Sequence, residues 1–202
     1  MDITRRSFLK LAGTLGVVLT TGKAFAAPNE KILVAYFSRT GEEYGIGKIT
    51  KGNTAIVAEI IARQTGGDLF EIKPARKYPD SYEDCKTVAS REKAANARPA
   101  IVGTVENFSQ YTTIFIGYPI WYGAYPMPVA TFLDSYDFAG KKIVPFSTHA
   151  GSGLSGTDQS ISLACPNAKI LKGFAIRGAT AQRDRTQTEK LVAENLRKLG
   201  LI

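Results

Sequence analysis

The chain has 202 residues, and its net charge of +8 comes from 26 basic and 18 acidic residues. This length is sufficient for one domain with a sizeable core, and no stretch resembles a linker between two domains. The basic residues are scattered, whereas a nucleic-acid-binding surface needs them on one face with aromatic side chains between them. The charge therefore disfavours a nucleic-acid-binding protein and is typical of a solvated surface.

The beginning of the chain is typical of an export signal. The twin arginines Arg5 and Arg6 precede an apolar stretch, and the sequence Ala-Phe-Ala at 24–26 predicts a cleavage site. The apolar stretch is shorter than the ~20 residues that a spanning helix needs, so we expect export to the periplasm, or another extracytoplasmic space, rather than a permanent membrane anchor. A leader over residues 1–26 leaves a domain over 27–202 with 22 basic and 17 acidic residues, a net charge of about +5. The twin-arginine route is associated with folded proteins, which suits a chain that acquires a cofactor before export.

Two cysteines and one histidine limit the metal and disulfide chemistry of the chain. Cys85 and Cys165 are far apart in sequence and match no metal-binding spacing. In an oxidising compartment they form either a disulfide or two buried thiols, and the sequence leaves both open. With His149 as the single histidine, we expect no imidazole-rich metal centre.

Strands and helices alternate along the predicted domain. Residues 31–37, KILVAYF, form a continuous apolar run, which is typical of a strand buried on both faces of a parallel sheet. Asn53 is a candidate cap for the next helix, and Asp80 with Glu83 resembles the capping box of a second helix. The predicted elements are strands at 31–37, 68–72, 112–118, 142–146 and 168–174, and helices from 53 to near 66, from 80, and at 127–136, 154–163 and 186–199. Five strands alternating with helices predict an α/β doubly wound domain.

Three polar, glycine-bearing segments follow the first, third and fourth predicted strands. Loops at the carboxyl ends of parallel strands converge on one crevice, so three such segments together predict a single ligand site. We assign no catalytic residue and no metal ligand. The candidate cofactor-binding residues are Ser38, Thr40, Gly41, Asn53 and Thr54 in the first segment, Pro119, Ile120, Trp121, Tyr122 and Gly123 in the second, and Thr148, His149, Gly151 and Gly153 in the third.

The first segment, residues 38–54, has the composition of a phosphate-binding loop. Backbone N–H groups and the positive end of the helix dipole attract a phosphate here without a lysine. The hydroxyls of Ser38 and Thr40 are additional donors. The same residue types are also typical of an ordinary turn and helix cap. Because Gly52 is followed by Asn53 rather than by Lys-Ser/Thr, a Walker-type nucleoside triphosphate site is excluded.

The sequence YFSRTG at 36–41, resumed by GNT at 52–54, resembles the phosphate-loop pattern of flavodoxins. The resemblance extends over nearly all of the domain. It implies a flavodoxin-like five-stranded parallel sheet in the order 2-1-3-4-5, with helices on both faces and FMN at the switch point between strands one and three. Residues 42–51 interrupt the family pattern, and two interpretations stay open: this insertion bulges outward, or it folds over the cofactor as a lid.

The second and third segments lie where flavodoxin-like proteins hold the flavin ring. Trp121, the only tryptophan, follows a buried strand, and we expect its indole to contact the ring, the alternative being a place in the core. A GxGxxG match begins at Gly151, but it follows the fourth strand and lacks an acidic ribose partner about 20 residues later, which disfavours a Rossmann NAD site. Backbone N–H groups near Gly151 and Gly153 are expected to bind the pyrimidine edge of the flavin. His149 lies beside that edge or is an ordinary loop residue.

The resulting hypothesis is an exported FMN protein that transfers electrons to or from a redox partner protein or a small quinone or nicotinamide. The alternatives are an NAD(P)H-dependent quinone or flavin reductase on the same fold and a flavin-free binding module. The basic charge is compatible with an acidic redox partner. A serine hydrolase is poorly supported, because Ser152, His149 and Asp158 all lie in one segment and no GxSxG elbow is present.

Overall fold

Residues 30–202, which the computed structural model of the protein describes, fold around a parallel sheet. The predicted leader at 1–26 lies outside the described residues. The strands are β1 (Ile32–Tyr36), β2 (Gly41–Glu43), β3 (Gly47–Ile49), β4 (Asp68–Glu71), β5 (Lys73–Pro74), β6 (Ile101–Val102), β7 (Thr113–Pro119), β8 (Lys142–His149), β9 (Lys169–Ile170) and β10 (Phe174–Arg177). The helices are α1 (Asn53–Thr65), α2 (Tyr82–Ala94), α3 (Met127–Asp134), α4 (Thr157–Ala164), α5 (Gly178–Arg183) and α6 (Arg185–Lys198).

The central sheet has the order β4-β1-β7-β8-β10, and all its neighbouring strands are parallel. The short strand β9 pairs with the start of β8, and β10 pairs with the end of β8. The two together form the edge of the sheet next to β8. In terms of the five predicted strands this order is 2-1-3-4-5, and the predicted fold class is confirmed. The strand order reverses between β1 and β7, where doubly wound proteins bind their ligands.

Alternate residues of the central strands are buried on opposite faces of the sheet. Val34 and Phe115 belong to the core that contains α1 and α6. Leu33 and Ile114 belong to the core that contains α3 and buried residues of α2 and α4. Burial on both faces explains why these strands are continuously apolar rather than alternating. Among the described residues, every helix is too short or too polar to cross a bilayer.

The fourth predicted strand extends further than the sequence indicates. Strand β8 continues beyond Phe146 to His149, because Ser147 and Thr148 pair with the end of β7 on one side and with β10 on the other. The last residues of this strand are polar, and their pairing depends on neighbours distant in sequence. The segment predicted as a loop therefore begins as buried strand.

The fifth predicted strand is divided into β9 and β10. Ile143 pairs with Ile170, whereas Phe146 pairs with Phe174, so the register shifts by one residue between the two pairs. This extra residue is a β-bulge. Pro145 lies in β8 at the same level and has no N–H to donate to the ladder. A second boundary also differs, because Ser81 rather than Asp80 caps α2, through the N–H of Asp84 at 3.4 Å, so the helix starts one residue later than predicted.

Candidate functional site

A cleft of about 370 Å³ opens beyond the carboxyl ends of β1, β7 and β8. Its volume is within the range of small-molecule and cofactor sites. The lining comes from seven parts of the chain: the segment after β1, the β2–β3 hairpin, the start of α1, α2, the segment after β7, the end of β8, and the start of α5. Polar loops and a helix N-terminus thus meet at the switch point of the sheet.

The predicted site residues divide into two groups. Those that line the cleft are Asn53, Pro119, Ile120, Trp121, Tyr122, Thr148 and His149. Those that lie outside its lining are Ser38, Thr40, Gly41, Thr54, Gly123, Gly151 and Gly153. The first group comes from all three predicted segments, so the sheet does bring the ends of the three strands together.

Ser38 holds the first turn of α1. Its Oγ accepts a hydrogen bond from the backbone N–H of Ala55 at 3.0 Å. The cap position belongs to Gly52, so the predicted capping role of Asn53 is wrong. A Cβ at Gly52 would collide with Ser38 Oγ and with the Arg39 carbonyl, which is why this close approach needs a glycine. The Asn53 side chain lines the cleft instead.

Thr54 connects the first segment to the third. Its hydroxyl lies 2.8 Å from the hydroxyl of Thr148, and both side chains are buried. The Thr54 hydroxyl is therefore engaged inside the protein. This hydrogen bond fixes the N-terminus of α1 against the end of β8.

The insertion at 42–51 contains the antiparallel hairpin β2–β3, and Arg39 fastens it to the chain segment before α2. The Arg39 side chain is only 6% exposed and pairs with Glu43 at 3.3 Å. Its guanidinium donates to the carbonyls of Glu42 and, at 2.7 Å, Pro79. The buried Arg39 side chain thus joins the hairpin, through Glu42 and Glu43, to the backbone of Pro79. These contacts hold the side of the hairpin that faces α2 in a fixed position.

The far side of the hairpin contacts α5. Arg183 Nη2 donates to the Gly45 carbonyl at 3.3 Å, and Gln182 Nε2 donates to the Lys51 carbonyl at 2.6 Å. On the α2 side, the ring of Tyr44 lies 6.0 Å from that of Tyr82. The hairpin therefore extends from α2 to α5 and forms a wall of the cleft, rather than bulging away from it.

The segment after β7 contains a tight turn around Tyr122 and Gly123. Trp121 and Ala124 exchange two backbone hydrogen bonds, at 2.8 and 3.0 Å. Tyr122 and Gly123 have φ values of 50° and 73°, the left-handed pair that a type I′ turn requires. The Tyr122 carbonyl also accepts a hydrogen bond from Lys93 of α2. This turn places Trp121 and Tyr122 in the lining.

The indole of Trp121 has two environments. It packs edge to face against Phe37, with ring centroids 5.3 Å apart, and against Tyr78, at 5.0 Å. It is also half-buried and lines the cleft. The two predicted alternatives for Trp121 are therefore both present: the core holds the ring in place, and the ring borders the cleft.

The end of β8 places His149 at the cleft. Burial, followed by the positive charge of Arg177, holds the pKa of His149 below its usual 6.5. The imidazole is thus neutral at pH 7. Beyond it, the chain returns toward the strand, since the Ser147 hydroxyl donates to the Gly153 carbonyl at 2.9 Å.

Two buried polar atoms at the cleft lack a partner among the described residues. They are Asn53 Oδ1 and His149 Nδ1. Buried polar atoms without hydrogen bonds are costly, and a ligand or water in the cleft would offer these two atoms a partner. An acceptor, an imidazole nitrogen, a helix N-terminus and an indole at one cleft suit a ligand with hydroxyl groups, a phosphate and a flat ring. These residues fit a flavin nucleotide.

The sequence did not indicate several lining residues. They are Glu43, Tyr44, Gly45 and Ile46 of the hairpin, Tyr82, Cys85, Lys86 and Ala89 around α2, and Arg177, Gly178 and Ala179 at α5. The aromatic Tyr44 within a glycine-rich insertion was the one available signal. The others lie in the hairpin, at the end of β10 and in two helices, and none of them belongs to a binding motif.

Both cysteines are buried free thiols. The sequence leaves open a disulfide or two buried thiols, and in the structure the two thiols are unpaired. Burial raises the pKa of Cys85 and of Cys165 to about 11. Cys85 lines the cleft as a neutral, weakly polar group.

Comparisons with known proteins agree with the fold and the cleft. The family model for flavodoxin matches residues 31–192. A candidate flavoprotein of Bacteroides eggerthii is 32% identical, with 84% of this chain and 98% of that chain covered and a TM-score of 0.68. A second, from Bacteroides uniformis, is also 32% identical, with coverage of 82% and 99% and a TM-score of 0.66.

A flavoprotein of Lactobacillus acidophilus, crystallised in complex with FMN, shares the fold at 22% identity, with 75% of this chain and 95% of that chain covered and a TM-score of 0.60. No curated protein matches the sequence. The doubly wound sheet and its cleft define a flavodoxin-like flavoprotein. The chain belongs to the flavodoxin family, as its phosphate-loop pattern predicts.

Proposed function

We propose that this protein binds FMN in the cleft and serves as an electron-transfer protein. The observation that carries the proposal is that two buried atoms, Asn53 Oδ1 and His149 Nδ1, have no hydrogen-bond partner within residues 30–202 and belong to residues of a cleft that Trp121 borders. Membership of the flavodoxin family supports it, and so does the FMN complex of the Lactobacillus acidophilus protein. The catalytic chemistry is the cofactor's: FMN, when bound, supplies a ring that accepts and releases electrons.

The residues of the chain bind and orient that cofactor. The N-terminus of α1, where the positive end of the helix dipole lies beside Asn53, is the place for the phosphate. Asn53 at the start of that helix offers a side-chain amide for hydroxyl groups. Because Phe37 and Tyr78 pack against Trp121 edge-on, the indole stays in place and excludes water from one wall.

Electrostatics at the cleft favour a neutral or negatively charged ligand. The imidazole of His149 is neutral, and Arg177 lies beside it on the neighbouring strand. Arg39 is already paired with Glu43. The positive charge of Arg177 stabilises negative charge on a bound ligand. It would therefore shift the redox potential of a cofactor that gains negative charge on reduction.

Spectroscopy of the purified protein tests this proposal. The domain is expressed without the leader and purified with no added flavin, and its visible absorption is recorded. We expect a flavin spectrum, and we expect FMN to bind more tightly than riboflavin because the phosphate site contributes to affinity. A colourless protein that shows no fluorescence quenching on titration with FMN would contradict the proposal.

A second spectroscopic measurement separates an electron carrier from an NAD(P)H-dependent reductase. The FMN-loaded protein is mixed anaerobically with NADPH and then with dithionite. An electron carrier keeps its flavin absorbance with NADPH and loses it with dithionite. Rapid bleaching by NADPH would instead establish the reductase.

We also propose export by the twin-arginine route, on the evidence of the leader sequence alone. The test compares the full chain with a variant in which Arg5 and Arg6 are both changed to lysine, each expressed in a bacterium with the twin-arginine pathway. We expect the unchanged chain in the periplasmic fraction and the variant in the cytoplasm. Equal distribution of the two would contradict this route.

A further inference from the structure

Three exposed cations lie around the cleft, each attached to the backbone carbonyl of a lining residue. The hydrogen bonds join Lys93 Nζ to the Tyr122 carbonyl, Arg177 Nη1 to the Ala150 carbonyl at 3.1 Å, and Arg183 Nη2 to the Gly45 carbonyl at 3.3 Å. Among residues 30–202, none of the three cations forms a salt bridge. Each positive charge is therefore fixed in position and uncompensated.

Two other cations that line the cleft are paired with carboxylates. Arg39 pairs with Glu43 at 3.3 Å, and Lys86 pairs with Glu83 at 2.6 Å. The carboxylate of Glu42 accepts a backbone N–H at the start of α2 and keeps its negative charge. Arg39, the insertion at 42–51, α2 and residues 177–183 together contain eight basic and five acidic residues, which give the surroundings of the cleft a net charge of +3.

Two exposed tyrosines lie at the same opening. Tyr44 on the hairpin is 68% exposed, and Tyr122 on the turn after β7 is 47% exposed. Both also line the cleft. Tyrosine and arginine are the residue types that contribute most to protein interfaces, because they combine apolar area with hydrogen bonding. Exposed tyrosines among fixed cations are typical of a docking surface.

We propose that this rim, defined as Tyr44, Lys93, Tyr122, Arg177 and Arg183, is the docking surface for an acidic electron-transfer protein. The inference rests on the proposed function, because the rim surrounds the cleft in which the cofactor is proposed to bind. A positive rim steers a partner with a negative face toward the opening and so increases the association rate.

The positions of the cations favour a protein over a phosphorylated nicotinamide as the occupant. Lys93 and Arg183 do not line the cleft, although the carbonyls to which they donate belong to lining residues. Their charges therefore act around the opening rather than inside it. A dinucleotide bound against the cofactor needs its phosphate contacts within the cleft, where Arg177 is the one cation of the three.

Two haem proteins of opposite charge serve as probes of the rim. The FMN-loaded protein is titrated with the acidic soluble domain of cytochrome b5 and with basic cytochrome c, at low and at physiological salt, and dissociation constants are measured by NMR line broadening. We expect binding to the acidic probe alone, weakening as salt increases. A double variant, Lys93→Gln with Arg183→Gln, is expected to bind it about tenfold more weakly.

A matched control changes the net charge equally near the amino ends of the strands, away from the cleft. Lys169 pairs with Lys142 at the start of β8, and Lys172 follows in the same bulge region; both are exposed. The variant Lys169→Gln with Lys172→Gln is expected to change the affinity less than twofold. A further variant, Lys93→Arg with Arg183→Lys, keeps both charges and is expected to keep the affinity.

Each alternative result has a defined meaning. Equal weakening in the two glutamine variants, or equal binding of the acidic and basic probes, would overturn the docking surface. Weaker NADPH binding with unchanged cytochrome b5 binding would overturn it in favour of a small anionic ligand. Failure of the proposed function is recognised separately, because in that case none of the proteins binds FMN.

Discussion

The buried hydroxyls of Thr54 and Thr148 lie 2.8 Å apart, although the two residues are 94 positions apart in sequence. One belongs to the first turn of α1 and the other to the end of β8, so this hydrogen bond joins the two ends of the candidate site. We expect Thr148→Val to destabilise the protein by about 1–3 kcal/mol, because it leaves the Thr54 hydroxyl buried without a partner. Urea unfolding of the FMN-free protein measures this change.

The double variant with valine at both positions is the control for this prediction. Replacing both hydroxyls by methyl groups of similar shape removes the unsatisfied group, so the double variant is expected to be closer to the unchanged protein than Thr148→Val is. Simple additivity of the two single effects would show that Thr54 and Thr148 do not interact.

A second prediction concerns the buried guanidinium of Arg39. Changing Arg39 to methionine removes its hydrogen bonds to the Glu42 and Pro79 carbonyls and leaves Glu43 without its cation. We expect a loss of at least about 2 kcal/mol in the free energy of unfolding. We also expect faster tryptic cleavage within the hairpin, which limited proteolysis followed by mass spectrometry detects.

The surface pair of Arg63 and Glu189 offers a comparison for that variant. Their atoms are 2.7 Å apart, but the Arg63 side chain is 53% exposed. Arg63→Met is therefore expected to cost less than about 1 kcal/mol and to leave the hairpin resistant to trypsin. Similar losses in the two variants would contradict the structural role assigned to Arg39.

A third prediction concerns Trp121 and the flavin. We expect Trp121→Leu to weaken FMN binding about 10–100-fold, because a ring stacked on an aromatic side chain contributes about 1–3 kcal/mol. Trp121→Phe keeps an aromatic face and should lose less. Tyr136→Leu, in an aromatic cluster outside the cleft lining, is the control for general loss of packing. Fluorescence titration gives the dissociation constants, and equal weakening in all three variants would exclude a specific role for the indole.

The pH dependence of stability tests the environment of His149. Its pKa in the folded protein is below 6.5, so the unfolded chain takes up this proton at a higher pH than the folded one does. Stability is therefore complete above the unfolded pKa and decreases as the pH falls through the folded pKa. We expect His149→Gln to lose less stability than the unchanged protein between pH 7.5 and pH 5.5, as measured by urea unfolding of the FMN-free form. An identical decrease in both would show that the imidazole is not desolvated.

The two thiols give a chemical prediction. Cys85 and Cys165 are buried, and burial raises the pKa of each to about 11. At pH 7.5 both are therefore protonated, and a thiol reagent should label the native protein slowly but both cysteines rapidly in urea. Mass spectrometry after labelling counts the modified thiols, and a denatured, non-reduced protein that takes up no label would indicate a disulfide.

Much of the sheet was predictable because its strands are apolar on both faces. The run at 31–37 has no other stable position than the centre of a covered sheet, and β1 occupies that position. The end of β8 was not predictable. Ser147, Thr148 and His149 have the composition of a loop, and only pairing with β7 and β10 makes them a strand.

The site was predictable where it depends on strand ends and not where it depends on distant packing. Trp121 and His149 follow predicted strands and line the cleft. Ser38 and Thr54 are residue types that commonly bind phosphate. In the structure, however, the Ser38 hydroxyl accepts the Ala55 N–H and the Thr54 hydroxyl is hydrogen-bonded to that of Thr148. Local sequence shows which groups can donate, and the tertiary contacts decide which of them already have partners. Helix α5 was missed because its six residues begin with Gly178 and are too few for a periodic pattern.

The dissociation constant of FMN from the unchanged protein and from Asn53→Ala tests the account most directly. Ser109→Ala, in the short helical turn before β7 and outside the cleft lining, is the matched control. We predict tight binding to the unchanged and control proteins and at least about tenfold weaker binding to Asn53→Ala, since hydrogen bonds in such sites contribute about 1.5 kcal/mol. Equal affinities in all three proteins, or no affinity in any, would contradict the placement of the flavin in this cleft.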